Sequence, residues 1–138
     1  MTFRLLNTND YAAYLELINE FRPTQFTEKQ FKETLEDIQW LNAIWVYEDN
    51  QALLATGTIF YERKFIHNIC VYAHIEDVCV KKLHRGNGLG KRLIAHLISQ
   101  ANHCHKINLN CAENTVKFYE SCGFERKGNQ MSLLVTKK

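Results

Sequence analysis

The residues best placed to do chemistry lie in Arg85-Gly86-Asn87-Gly88-Leu89-Gly90-Lys91. Three glycines in five positions let successive backbone N–H groups converge without Cβ obstruction, and the residues that follow turn to a helical period. Donors gathered at a helix N-terminus, with the helix dipole behind them, favour a phosphate or pyrophosphate. Arg85 and Lys91 add positive charge beside them. Two phosphate-binding patterns fail. A P-loop requires glycine where Arg85 stands and Ser or Thr where Arg92 stands. A dinucleotide fingerprint needs Gly-x-Gly-x-x-Gly after an early strand, whereas these glycines alternate after a late one. A turn of this composition can also do no more than pack a helix on a sheet.

Nucleophiles and metal ligands are the other candidates. A cysteine nucleophile needs a neighbouring base. No Cys–His pairing is legible around Cys70, Cys79, Cys104, Cys111 or Cys122, and Cys79 and Cys111 sit in apolar strand patterns. The expectation is five reduced, buried, inert thiols, with no disulfide framework. His103-Cys104-His105, and His67 with Cys70 and His74, carry metal-ligating atoms. Neither has the two paired ligand sets of a structural zinc site, so no metal is expected.

The elements that must position these residues follow from periodicity. Thr2 to Leu6 alternates as a short strand, and Asp10 to Phe21 is helical, with Tyr11, Tyr14, Leu15 and Ile18 on one face and Pro23 closing it. Thr27-Glu28-Lys29-Gln30 is a capping box opening a second helix that buries Phe31, Leu35 and Ile38. Ala43 to Tyr47 and Ala52 to Tyr61, joined at Asp49-Asn50, read as an antiparallel hairpin. His74 to Val80 is a strand running into the glycine turn, after which Leu93, Leu97, Ile98 and Ala101 form one helical stripe. Lys106 to Cys111 is a strand, Glu113 to Ser121 a short helix capped by Gly123, and Phe124 to Thr136 a final hairpin around Gly128-Asn129. This order predicts an α+β or α/β domain built round one mixed sheet.

At 138 residues the chain has the length of one domain. Its 46% hydrophobic and 23% charged residues are those of an ordinary globular protein, which excludes collagen-like, disordered and disulfide-scaffold classes. A net charge of +2 gives no footprint for nucleic acid or a membrane surface. No apolar run approaches the ~18 residues of a membrane span. Met1 to Asn7 lacks the charged and apolar regions of a secretory signal, so a cytoplasmic protein is expected.

Arg85-Gly86-Asn87-Gly88-Leu89-Gly90 resembles the Arg/Gln-x-x-Gly-x-Gly/Ala signature of the GNAT acetyltransferase superfamily, and Val116-Lys117-Phe118-Tyr119-Glu120-Ser121-Cys122-Gly123-Phe124 resembles its downstream Tyr…Gly-Phe signature. Lys64-Phe65-Ile66-His67, His74-Ile75-Glu76-Asp77-Val78 and Lys106 through Cys111 are similar to the eukaryotic-type glucosamine-6-phosphate N-acetyltransferases. The resemblance runs from about Phe60 to Phe124, and reaches the N-terminal helices only by order and length. It implies a single GNAT-type domain, with a mixed, mostly antiparallel central sheet flanked by four helices.

The resemblance also implies roles. Acetyl-CoA would lie along Val78, Cys79 and Val80, whose backbone N–H groups could hold the thioester carbonyl and the later oxyanion. Its pyrophosphate would rest on the amides of Gly86, Asn87, Gly88, Leu89, Gly90 and Lys91, beside Arg85, with Thr115 a further cofactor contact. Tyr119 would protonate the departing thiolate, since a phenol of pKa ~10 can supply a thiol of pKa ~8.5. Lys64, His67, His105 and Lys106 would meet the sugar phosphate, a dianion that needs cations. Glu76 and Asp77 would stand beside the amino sugar. The family's enzymes imply a homodimer, with Met131 to Val135 and the loop from Phe65 to Tyr72 as contact surfaces.

Three positions depart from the family. Asn110 stands where an acid is usual, so only its backbone carbonyl could receive or orient the amine proton. Leu134 replaces an Arg, and Phe21 aligns roughly with a Thr. The expected reaction is direct attack by the amine of glucosamine 6-phosphate on acetyl-CoA. The alternatives are a GNAT enzyme for another small amine or a lysine side chain, and a non-catalytic acetyl-CoA-binding module. Tyr119 argues against the last, because binding alone has no use for a proton donor at the thiol.

Overall fold

The runs from Ala52 and from Cys70 build the two longest strands, and these organise the computed structural model, which describes residues 2–38 and 41–136. The elements run β1 (Thr2–Leu5), α1 (Tyr11–Phe21), α2 (Glu28–Ile38), β2 (Asn42–Asp49), β3 (Ala52–Lys64), β4 (Cys70–Val80), α3 (Leu89–Gln100), β5 (Lys106–Leu109) and α4 (Val116–Ser121). The strands form one sheet in the order β1-β2-β3-β4-β5. All neighbours are antiparallel except β4 and β5, which are parallel and joined through α3, the kind of crossover a parallel pair requires. The expected mixed sheet with four helices is the fold observed.

Each face of the sheet carries its own core. On one, Leu54, Ala55, Ile59, Ala73 and Ile75 pack against Leu89, Leu93, Ile94, Leu97 and Ala101, the apolar stripe of α3. On the other, Val46, Leu53 and Cys79 meet Leu6, Leu17 and Phe31. The residue of α1 that is completely buried is Leu17, which was not on the expected stripe. The reason is that α1 is covered on two sides. Tyr11 and Tyr14 turn to Phe31 of α2, while Leu17 reaches the sheet, where its carbonyl accepts a long contact from the Cys79 thiol at 3.6 Å.

Two features of β4 set the site. The first is a bulge. Thr56 pairs with Cys79 and Thr58 with Glu76, so Asp77 and Val78 together face the single residue Gly57, and Asp77 takes a left-handed φ of 51°. Gly57 is needed here for space, since a Cβ would stand 2.7 Å from Leu97 Cδ1. The second is a parting of strands. β5 pairs with β4 only from Tyr72/Lys106 to Ile75/Leu109, while β4 continues to Val80. Among the described residues, no strand therefore lies beside Glu76–Val80 on that edge.

Some boundaries differ from the sequence reading. β4 begins at Cys70 rather than His74, and β5 ends at Leu109 rather than Cys111. The larger difference is at the C-terminus. Phe124 to Thr136 does not form a hairpin, and no strand is assigned there. Met131, Leu133, Leu134 and Val135 are all strongly exposed. Their apolar character is that of a strand, but among the described residues none pairs with them as a strand.

Candidate functional site

Where β4 outruns β5, one backbone edge of Glu76–Val80 is left free to bond a ligand. The Cys79 side chain is buried against α1, so no thiol is presented at this edge. The strand leads directly into the glycine turn, and Arg85 folds back so that its Nε donates to the Val80 carbonyl at 2.9 Å. Gly86 and Gly88 have φ of 84° and 87°, and Gly88 is the N-cap of α3. The Asn87 side-chain oxygen accepts the Leu89 N–H at 3.3 Å, leaving the other amides of the first α3 turn without intrahelical partners. Arg85 and Lys91 are exposed beside them. An open strand edge followed by a cradle of free amides fits an extended thioester carrying a pyrophosphate.

Helix α4 closes this slot. A Cβ placed on Gly90 would lie 3.5 Å from Phe118 Cζ and 3.7 Å from Val80 Cγ2, so the turn, the end of β4 and α4 meet there. The next residue, Tyr119, is half-buried, with its ring edge-on to Phe118 at 5.0 Å and to Phe124 at 6.1 Å. Burial pushes its phenol above the usual value, and the neighbouring Cys111 and Cys122 act in the same direction. Tyr119 thus keeps its proton through the neutral range, as a donor must. Thr115 stands at the N-cap position of α4, but its hydroxyl donates back to the Ala112 carbonyl at 2.9 Å rather than accepting from the helix.

At the far end of β4 the cationic residues converge on one ring. Lys64 Nζ and Lys106 Nζ each lie 4.9 Å from the centre of Tyr72. His105 stacks on Tyr72 at 5.8 Å and on His67 at 4.1 Å. His67, Asn68 and Ile69 all have left-handed φ, of 54°, 58° and 70°. For a β-branched residue such as Ile69 that conformation is strained, by about 1–2 kcal/mol. The strained turn is what brings His67 over His105. Along β4, Tyr72, His74 and Glu76 share one face of the strand, and Tyr72 and Glu76 are ~13 Å apart. Glu76 and Asp77 are both exposed at the end nearest the slot.

The structure therefore sets Val78 to Val80 and Arg85 to Lys91 along one continuous run on which α4 packs through Phe118, places Tyr119 with Asn110 along the groove between β5, α4 and residues 124–130, and gathers Lys64, His67, His105 and Lys106 into one cluster. Asn110 is exposed just past the end of β5. Phe21 is 38% exposed and Leu134 74%, so neither is built into a pocket of this chain. The metal triplet separates, since His103 Nε2 lies 3.7 Å from Cys104 Sγ while His105 stacks on His67. The expectation of five buried thiols needs correction. Cys79 is buried and Cys70, Cys104 and Cys122 are half-buried, but Cys111 is exposed, because β5 ends before it. Burial raises the Cys104 thiol, so its histidine neighbour does not make it a thiolate.

Sequence reasoning missed Tyr72, Tyr14, Glu62 and Asn108. Tyr72 is the hub of the cation cluster, and an aromatic in a strand gives no sign of that. Tyr14 of α1 has its phenol pushed up to about 12 by burial and then by the charge of Asp77, which sets it near the bulge. Glu62 and Asn108 join the face of Tyr72 only through strand register.

Comparison with known proteins agrees with this geometry. Residues 8–132 match the family model of the acetyltransferase (GNAT) domain. Glucosamine 6-phosphate N-acetyltransferase 1 of Dictyostelium discoideum is 38% identical over 96% of this chain and 90% of its own length. Glucosamine 6-phosphate N-acetyltransferase of Candida albicans is 33% identical over 94% of this chain and 93% of its own. The crystal structure of glucosamine-6-phosphate N-acetyltransferase from Arabidopsis thaliana superposes with a TM-score of 0.93 at 31% identity, covering 98% of both chains.

Gly90 separates a ligand-binding turn from a packing turn. Its φ is not left-handed and an added Cβ meets only ordinary contacts. Gly90→Ala should therefore keep or raise stability, by up to about 1 kcal/mol as a helix residue. If the backbone must approach a pyrophosphate there, the same variant raises the KM for acetyl-CoA about tenfold, for a loss of about 1.4 kcal/mol of binding. Thermal melts together with acetyl-CoA titration read this, and an unchanged KM would leave the turn with a packing role only.

Proposed function

The chain belongs to the GNAT acetyltransferase family, and we propose that within it the protein transfers the acetyl group of acetyl-CoA to the amine of glucosamine 6-phosphate. The observation that carries the substrate is the arrangement along β4. Lys64, Lys106, His67 and His105 gather at Tyr72, and Glu76 and Asp77 stand beside the open edge that fits the thioester. A phosphate at one end and an amine at the other match that order of charges. The relatives named for this reaction cover nearly the whole chain.

In this reading the N–H groups of the Val78–Val80 edge hold the thioester carbonyl and stabilise the negative charge that develops on its oxygen. Glu76 and Asp77 attract and orient the amine. The neutral amine forms the new C–N bond, the C–S bond breaks, and Tyr119 delivers its proton to the departing thiolate. The Asn110 carbonyl accepts a hydrogen bond from the amine and orients it, and the proton the nitrogen loses passes to solvent water, from which the Tyr119 phenolate is reprotonated. No cysteine needs to carry the acetyl group. Lys91, Arg85 and the amides from Gly86 to Gly90 hold the pyrophosphate, and Thr115 contributes from α4. No metal has a role in these steps. The protein is read as cytoplasmic, and its product as a precursor for UDP-GlcNAc synthesis.

The same reading makes the protein a homodimer. The exposed apolar segment from Met131 to Val135 and the exposed Phe65, Ile66 and Ile69 are surfaces that a second copy would cover. A groove of about 900 Å³ also runs between the β5–α4 region and residues Phe124 to Gln130.

Two measurements test these assignments. Tyr119→Phe should lower kcat about 100-fold, the lower range for a general acid, while leaving CoA affinity unchanged. Unchanged turnover would remove Tyr119 from the chemistry. Sedimentation velocity at micromolar concentration should show a dimer, and a monomer there would refute the shared interface.

A further inference from the structure

We propose that His74 and Asn108 form the hydroxyl-recognising middle of the acceptor site, and that Glu62 positions His74 for that task. The inference rests on the acceptor reading above and deepens it.

His74 lies midway between Tyr72 and Glu76 on the same face of β4, and its register partner on β5 is Asn108. A ligand with its anion at the Lys64–Lys106 cluster and its amine at Glu76 must lay its uncharged middle across these two side chains. For an amino-sugar phosphate that middle is a ring edged with hydroxyls. The imidazole is held in place before any ligand arrives. His74 Nε2 lies 3.0 Å from Glu62 Oε1, and the ring rests on Phe60 at 5.8 Å. The other carboxylate oxygen of Glu62 is 3.4 Å from Lys64 Nζ, so one acid orients both the middle and the cationic end.

This pairing sets the donor and acceptor pattern. In the neutral imidazole the Glu62 carboxylate takes the Nε2 proton, and Nδ1 is then the atom whose lone pair can accept from a hydroxyl. Nδ1 has no hydrogen-bond partner among the described residues. Asn108, half-buried on the adjacent strand, offers both a donor and an acceptor. A fixed imidazole acceptor beside an amide can distinguish a hydroxyl pointing toward it from one inverted away. A site built to bond a hydroxyl pays for an analogue that leaves its own polar groups unmatched.

The test compares kcat/KM for glucosamine 6-phosphate with that for its C4 epimer, galactosamine 6-phosphate. The unmodified protein should favour the first by about tenfold or more. His74→Leu and Asn108→Ala should each bring the ratio down toward one, chiefly by slowing the favoured sugar. Glu62→Ala should do the same, whereas Glu62→Gln, which can still accept the Nε2 proton, should restore the ratio. A purely structural role for Glu62 would lower both sugars equally. Acetyl-CoA affinity, measured on each variant, reports a folded cofactor half, and Asn108→Ala decides the matter should His74→Leu not fold. The inference is overturned if the unmodified protein does not discriminate, or if the ratio survives in the variants. Turnover of the glucosamine sugar with an unchanged ratio would remove the inference alone, while no turnover of either sugar would remove it together with the reading beneath it.

Discussion

The feature on which the rest depends is a failure of two parallel strands to stay together. β4 and β5 are bonded from Tyr72/Lys106 to Ile75/Leu109, and then β4 runs on alone to Val80. An edge of main chain without its neighbour is costly unless water or a ligand bonds it. Here the bulge at Asp77 turns that edge, and the buried Cys79 ties its other side to α1. The glycine turn and α3 continue from its end, and α4 is packed where Phe118 meets Gly90 and Val80. Remove the parting, and the same elements would make a closed sheet without a slot.

The acceptor half is built differently, from side chains on a sheet face. Lys64 and Lys106 hold like charges over the Tyr72 ring, and a three-residue left-handed turn carrying Ile69 is needed to complete the group. Both are unfavourable in the empty protein, and an incoming dianion relieves the first. The carboxylate of Glu62 offsets part of the repulsion without occupying the ring face. Exposure of Glu76 and Asp77 keeps the opposite end of the face negative and solvated. The charges are thus sorted along one strand, which fixes the direction in which a zwitterionic ligand can lie.

What could be seen in the sequence was what neighbours in the chain decide. The glycine turn, the stripe of α3 and the run of β3 are local patterns, and they stand where the sequence reading put them. The cluster around Tyr72 was half visible, because its cations were named from a resemblance while its hub was not. Register escaped: nothing in Lys106 to Cys111 says that pairing stops at Leu109, so the exposure of Cys111 was missed. Leu17 was overlooked because a helix covered on two sides has no single stripe. The C-terminal segment shows the opposite limit. Its apolar character is that of a strand, yet a strand is made by its partner, and among the described residues none pairs with it.

Whether the slot and the cluster serve one reaction can be read from CoA release. Acetyl-CoA would be presented in parallel with glucosamine 6-phosphate, glucosamine, spermidine and a lysine peptide. Release should be rapid with the phosphorylated sugar and slight with the other three. Release with another amine but not with glucosamine 6-phosphate would contradict the acceptor site, and tight CoA binding without release from any would contradict catalysis itself.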